Sequence, residues 1–154
     1  MGKNSRHDLL MIAVDTNLLV YAHREDSPWH EEALAALTGL ANSGRPWAIT
    51  WSAFHEFIAV VTHPKLYDPP TPLATALKTI EAWQSSSGLR MINEGPGYLD
   101  TFSSIAMSGK IKGPKTHDAR IAATCLHHRV KTLWTADRDF SAFPKLKCEN
   151  PLVG

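Results

Sequence analysis

Short apolar runs rich in β-branched and aromatic residues recur along this chain, separated by longer stretches with helical patterning. Leu9 to Val14, Trp47 to Trp51, Leu89 to Ile92 and Thr132 to Thr135 are the clearest runs, and Leu146 to Cys148 adds a fifth at an edge. The first run ends at Asp15, as a strand buried on both faces would. Alternating strands and helices imply a parallel sheet with right-handed crossovers and helices on either side. The expected fold class is therefore α/β, a three-layer α/β/α sandwich around a central, mainly parallel sheet of four to five strands.

The intervening stretches carry helix signals. Asn17 to Ala22 continue from the first strand as an apolar turn or helix. Ser27-Pro28 offers a capping hydroxyl and a proline at the first helical position, followed by Glu31 and Glu32 and an apolar stripe of Leu34, Leu37 and Ala41 up to Gly44. Ser52 is the expected cap of the helix AFHEFIAVVTH, with Glu56 on its first turn. Thr71-Pro72 opens a further helix through Ser85, Tyr98 to Met107 form another, and Thr116 is the expected cap of HDARIAATCLHHR. No internal repeat is visible.

The chain of 154 residues suits one domain, and a domain of this size buries roughly 68–70% of its unfolded surface. The first residues, MGKNSRHDLL, are polar, so residues 1–8 are expected to be a flexible leader ahead of a start near Met11, and residues 9–151 a single domain. Cys125 and Cys148 have no metal-ligand spacing and read as reduced thiols of a cytoplasmic protein. No apolar run approaches a membrane span. Sixteen Lys and Arg against fifteen Asp and Glu give a net charge of +1, which excludes overall basicity as a mark of nucleic-acid binding. A local patch remains: Lys110, Lys112 and Lys115 are candidate phosphate contacts, with a solvated loop as the alternative.

Four acidic residues stand where an expected strand gives way to a helix or loop: Asp15 in VDTN, Glu56 in FHEF, Asp118 in HDARIAA and Asp137 in TADRDF. The carboxyl ends of strands in an open α/β sheet form the crevice where ligands bind. Carboxylates converging there repel one another unless a cation neutralises them, so a divalent metal is implied. Each residue alone has a plainer reading. Asp15 suits the cap of the next turn, and Glu56 and Asp118 suit helix amino termini through the helix dipole. Phe54, Phe57, Ile58 and Val61 nevertheless make the helix of Glu56 look largely buried, and buried glutamates need partners. Thr16 and Asn17 are candidates to orient Asp15, or simple turn formers.

Together, VDTN, the isolated glutamate, HDARIAA and TADRDF resemble the PIN-domain nucleases, specifically the VapC-type toxins of bacterial toxin–antitoxin pairs, over about Met11 to Pro151. The resemblance implies an endoribonuclease with Asp15, Glu56, Asp118 and Asp137 as its acidic residues, Asp15 and Asp118 as the usual ligands of Mg²⁺ or Mn²⁺, and Asp139 as a further acidic position. Thr135 matches a hydroxyl residue that lines such pockets. The linker HHRVKTLW is slightly longer than usual in the family, so Asp137 and Asp139 both stand for the fourth position. Partners implied are an RNA substrate, a cognate antitoxin and a second copy of the chain in a homodimer.

Hydrolysis of an RNA phosphodiester then follows, with Asp15 and Asp118 on the principal ion and Glu56 and Asp137 positioning a second ion or the attacking water. Three other readings are weaker. A zinc protease needs His four residues after His55, where Ala59 stands. A haloacid-dehalogenase-type phosphatase calls for a second Asp at the position of Asn17. A non-enzymatic interaction module would leave the carboxylates individually structural, and should gain no stability from metal.

Overall fold

A computed structural model describes residues 11–153. The leader expected over residues 1–8, and the start of the first strand at Leu9 and Leu10, lie outside the described residues. Five strands make one sheet: β1 (Ile12–Val14), β2 (Trp47–Thr50), β3 (Leu89–Ile92), β4 (Thr132–Trp134) and β5 (Lys147–Glu149). Their spatial order is β3-β2-β1-β4-β5, and every neighbouring pair is parallel. The helices are α1 (Thr16–His23), α2 (His30–Ala41), α3 (Trp51–Val61), α4 (Leu73–Gln84), α5 (Tyr98–Gly109) and α6 (Lys115–His127), with a 3-10 turn at Arg138–Ala142.

The three layers follow from the two-residue period of the central strands. Val14, Trp47 and Ile49 join the core formed with α1 to α4, whereas Ala13, Ala48 and Leu133 face the core that contains Ile105 of α5 and Ile121, Ala122 and Cys125 of α6. Ala13 and Ala48 are register partners on adjacent strands. Their small side chains lie opposite the small residues Ala119, Ala122 and Ala123 of α6, all of them fully buried. Burial of this kind is worth about 25 cal/mol per Å² of apolar surface.

Strand connections place the functional end. From β1 the chain steps outward to β2 and β3, then returns to the other side of β1 for β4 and β5. The order reverses between β1 and β4, where the crevice of an open α/β sheet opens at the strand carboxyl ends. Asp15 follows β1 directly, its N–H donating to Trp134 O at 2.9 Å, so the ladder between β1 and β4 extends to the lip of that crevice. Thr135 follows β4, its N–H donating to Glu149 O at 2.9 Å.

Several local expectations are corrected. The cap of α3 is Thr50, whose hydroxyl accepts from Ala53 N at 3.1 Å, and Ser52 lies inside the helix. Glu56 therefore sits on the second turn, well beyond the end of β2. α2 begins at His30, because Ser27 Oγ accepts from Trp29 N at 3.2 Å and closes a turn before the helix starts. α6 begins at Lys115 after Pro114, which puts Thr116 within its first turn instead of at its cap. No strand separates α5 from α6, so Asp118 follows a helix–helix connection and not a strand.

Candidate functional site

Asp15 is the innermost group of the site. As the last residue before α1 it caps that helix, Oδ1 accepting from Thr16 N at 2.8 Å, while Oδ2 accepts from Thr135 Oγ1 at 2.7 Å. The capping interpretation and the placement at the crevice therefore hold together. Only 6% of Asp15 is exposed. Burial raises its pKa from the ordinary 3.8 to about 6, against the lowering effect of the Thr135 and Thr16 hydrogen bonds; the negative charges of Glu56 and Asp137 add to the rise. Desolvation leads and like-charge repulsion comes after it, which reverses the weighting that convergence of carboxylates suggests.

Around Asp15 the hydroxyl and amide groups form one frame. Thr135 Oγ1 donates to Asp15 and accepts from Asp137 N at 3.0 Å, while Asn17 spans to the β4 exit by Nδ2 to Thr135 Oγ1 at 3.4 Å and by accepting from Ala136 N at 3.3 Å. Thr16 Oγ1 reaches Glu56 Oε2 at 3.4 Å. Asp137 caps the 3-10 turn by accepting from Asp139 N at 2.8 Å, which fixes its carboxyl group at the crevice edge.

Asp15, Thr16, Asn17, Glu56, Asp118 and Asp137 all line one cavity of about 290 Å³, so the four carboxylates named from the sequence do share a pocket. Asp118, Asp137 and Asp139 each offer an oxygen within 4.8 Å of the others. This trio contains Asp118 of the expected Asp15–Asp118 pair and adds Asp139, which does not line that cavity. Asp118 has its pKa raised by partial burial, with Lys115 opposing the rise and Asp137 and Asp139 adding to it. Glu56 is exposed, contrary to the buried setting expected for it. Phe57 and Val61 take the buried face of α3, which turns Glu56 outward to the pocket.

The three lysines separate. Lys110 and Lys112 are exposed in the α5–α6 connection. Lys115 instead turns inward, with Nζ 3.5 Å from Asp118 Oδ2 and donating to the Asp139 carbonyl. The pocket also includes Val20, Tyr21, Val60, Tyr67 and Ile121, which sequence reasoning missed. Helical spacing carries a signal for four of them: Val20 is four residues after Thr16, Tyr21 four after Asn17, Val60 four after Glu56 and Ile121 three after Asp118. Tyr67 arrives from a loop and has no such signal.

All oxygen donors, a carboxylate trio and a buried Asp15 whose charged form burial disfavours suit a hard divalent ion such as Mg²⁺ or Mn²⁺. The family model described as PIN domain matches residues 12–146. The chain belongs to the PIN-domain family. Within this family it is 32% identical over 144 residues to Ribonuclease VapC43 of Mycobacterium tuberculosis, covering 94% of this chain and 97% of that protein. The fold is also that of VapBC2 from Rickettsia felis, solved bound to a DNA fragment from its promoter, with TM-score 0.68, 19% identity and coverage of 92% and 98% of the two chains. A toxin–antitoxin complex from Klebsiella pneumoniae aligns with TM-score 0.57, 22% identity and coverage of 91% and 97%. Membership of the PIN family sets the phosphatase reading aside.

Proposed function

We propose that this PIN-domain protein is a metal-dependent endoribonuclease that acts as the toxin of a toxin–antitoxin pair. The observation that carries the reading is the gathering of Asp15, Glu56, Asp118 and Asp137 around one pocket at the β1–β4 crevice. The name of VapC43 as a ribonuclease and the Klebsiella complex of toxin with antitoxin support it. Asp15 and Asp118 would hold Mg²⁺, with Mn²⁺ as the alternative ion. When bound, such an ion lowers the pKa of a coordinated water and stabilises charge on the scissile phosphate.

The chain's own groups supply the rest. Thr135 and the Thr16 N–H hold the Asp15 carboxylate in one orientation, so no rotamer search precedes binding. Glu56 and Asp137, at the exposed side of the pocket, orient the attacking water and accept its proton. Lys110 and Lys112, exposed in the α5–α6 connection, grip the RNA backbone, a contact that should weaken as salt rises. A single-stranded loop of a transfer or ribosomal RNA suits the open pocket, since protein groups reach bases there. The whole activity resides in one domain over residues 9–151 of a cytoplasmic protein, and among the described residues no helix is long and apolar enough to cross a membrane.

A homodimer is part of this proposal. Trp29 at the amino-terminal cap of α2, Leu34 on α2, and Leu73 and Leu77 on α4 are exposed apolar residues of the amino-terminal half available for such a contact. Light scattering of the purified protein should give twice the 17.0 kDa chain mass; the monomer mass at micromolar concentration would remove the dimer.

The test of activity is cleavage of a pool of transfer and ribosomal RNA with Mg²⁺, with Mn²⁺ and with chelator, beside Asp15→Asn prepared identically. Discrete cuts that require metal and disappear in the variant are expected. Cutting that survives both chelation and the substitution would refute the nuclease assignment.

A further inference from the structure

Lys115 occupies a place that a cation ordinarily avoids. It is the first residue of α6, where the helix dipole presents positive charge and acidic residues are favoured. Yet its side chain is only 27% exposed and folds back over the acidic pocket. Nζ lies 3.5 Å from Asp118 Oδ2, donates to the main-chain carbonyl of Asp139, and stands 5.9 Å from the centre of the Phe143 ring. The ammonium group thus already meets one carboxylate of the trio, that of Asp118, and the main chain of a second member, Asp139. Phe143 is buried, and its ring helps to confine the lysine stem.

We infer that Lys115 is a tethered counter-ion that fills the outer cation position, beside Asp118 and Asp139, so that the pocket takes up one divalent ion instead of two. The inference rests on the metal-site reading above. Two divalent ions in a carboxylate site stand about 3.5–4 Å apart. An ammonium within contact distance of Asp118 neutralises that side and repels a second dication. Lys115 is therefore a positioning residue for the metal and the trio, in contrast to Lys110 and Lys112 at the exposed approach. The Asp118 carboxylate and the Asp139 carbonyl of this chain take two directions of its ammonium group, which hold it in place without any RNA being bound.

The test is Mn²⁺ titration of the full chain, read as bound ions per chain by calorimetry and by the electron paramagnetic resonance of free Mn²⁺. Wild type and Lys115→Arg, which keeps the charge, should each bind one ion. Lys115→Met, which keeps the stem beside Phe143, should bind two. A melting temperature for each variant checks that it is folded. The inference is overturned if wild type binds two ions, or if Lys115→Met binds only one. Absence of Mn²⁺ binding by both wild type and Lys115→Met would overturn the metal site itself, and the inference with it.

Discussion

Asp15 concentrates the energetics of the site in one side chain. The rise from 3.8 to about 6, at about 1.4 kcal/mol per unit, corresponds to about 3 kcal/mol of native-state penalty once the group is charged. Below about pH 4 the carboxyl is protonated in both native and unfolded chains, and the penalty is absent. Between about pH 4 and 6 the unfolded chain releases a proton that the native chain still holds, so this group's contribution to stability falls as pH rises. Above 6 the loss is complete. Asp15→Asn keeps an acceptor for the Thr16 N–H, loses the oxygen that accepts from Thr135 and removes the charge, so between pH 4 and pH above 6 the stability of the metal-free variant relative to wild type should rise by about 1–3 kcal/mol. Melting curves at the two pH values check this. Thr135→Val removes a donor to Asp15 and should move the carboxyl titration midpoint further upward, measured by carbon NMR, with a stability cost of about 1–3 kcal/mol. Asp15 was legible in the sequence because a carboxylate ends an apolar run. Lys115 was not, because nothing local distinguishes an inward lysine from its neighbours Lys110 and Lys112.

At the scale of elements, the strands were legible and the helix starts less so. A parallel strand buried on both faces leaves a continuous apolar run, as β2 does, and β2, β3 and β4 all fall within a residue or so of their expected bounds. Caps depend on which hydroxyl meets a free N–H in space. Thr50 and Ser52 are both capping types, and their hydroxyls lie 3.0 Å apart, but the end of β2 at Thr50 gives Thr50 the extended backbone a cap needs. Thr50→Ala should cost about 1 kcal/mol, a fall of about 2–4 °C in melting temperature for a chain of this size, whereas Ser52→Ala should lose less. The missing strand between α5 and α6 has a topological cause. A chain leaving the β3 edge must pass β2 and β1 to reach β4, and one helix followed by a second covers that distance over the sheet.

For the whole molecule, the reversal of strand order beside β1 determines where separate acidic segments meet. Residues 15, 56, 118 and 137 are distant in sequence, and no local pattern shows that they share a pocket. Their recurrence at expected strand ends suggests the grouping and the resemblance to the PIN motifs strengthens it; topology supplies its physical reason. A bound dication should therefore stabilise the native state by mass action, about 2.7 kcal/mol at one hundred times the dissociation constant. Differential scanning fluorimetry should show that gain with Mg²⁺ or Mn²⁺ in wild type and show it lost in Asp15→Asn. The most direct measurement is RNA cleavage by Asp15→Asn, Glu56→Gln, Asp118→Asn and Asp137→Asn, compared with Asp100→Asn, an exposed acidic residue absent from the pocket lining. The four pocket variants should each lose more than about 100-fold, beyond the cost of losing an outer hydrogen-bond partner, while Asp100→Asn cuts as wild type does. Full activity in Asp15→Asn and Asp118→Asn would contradict a catalytic site built on this pocket.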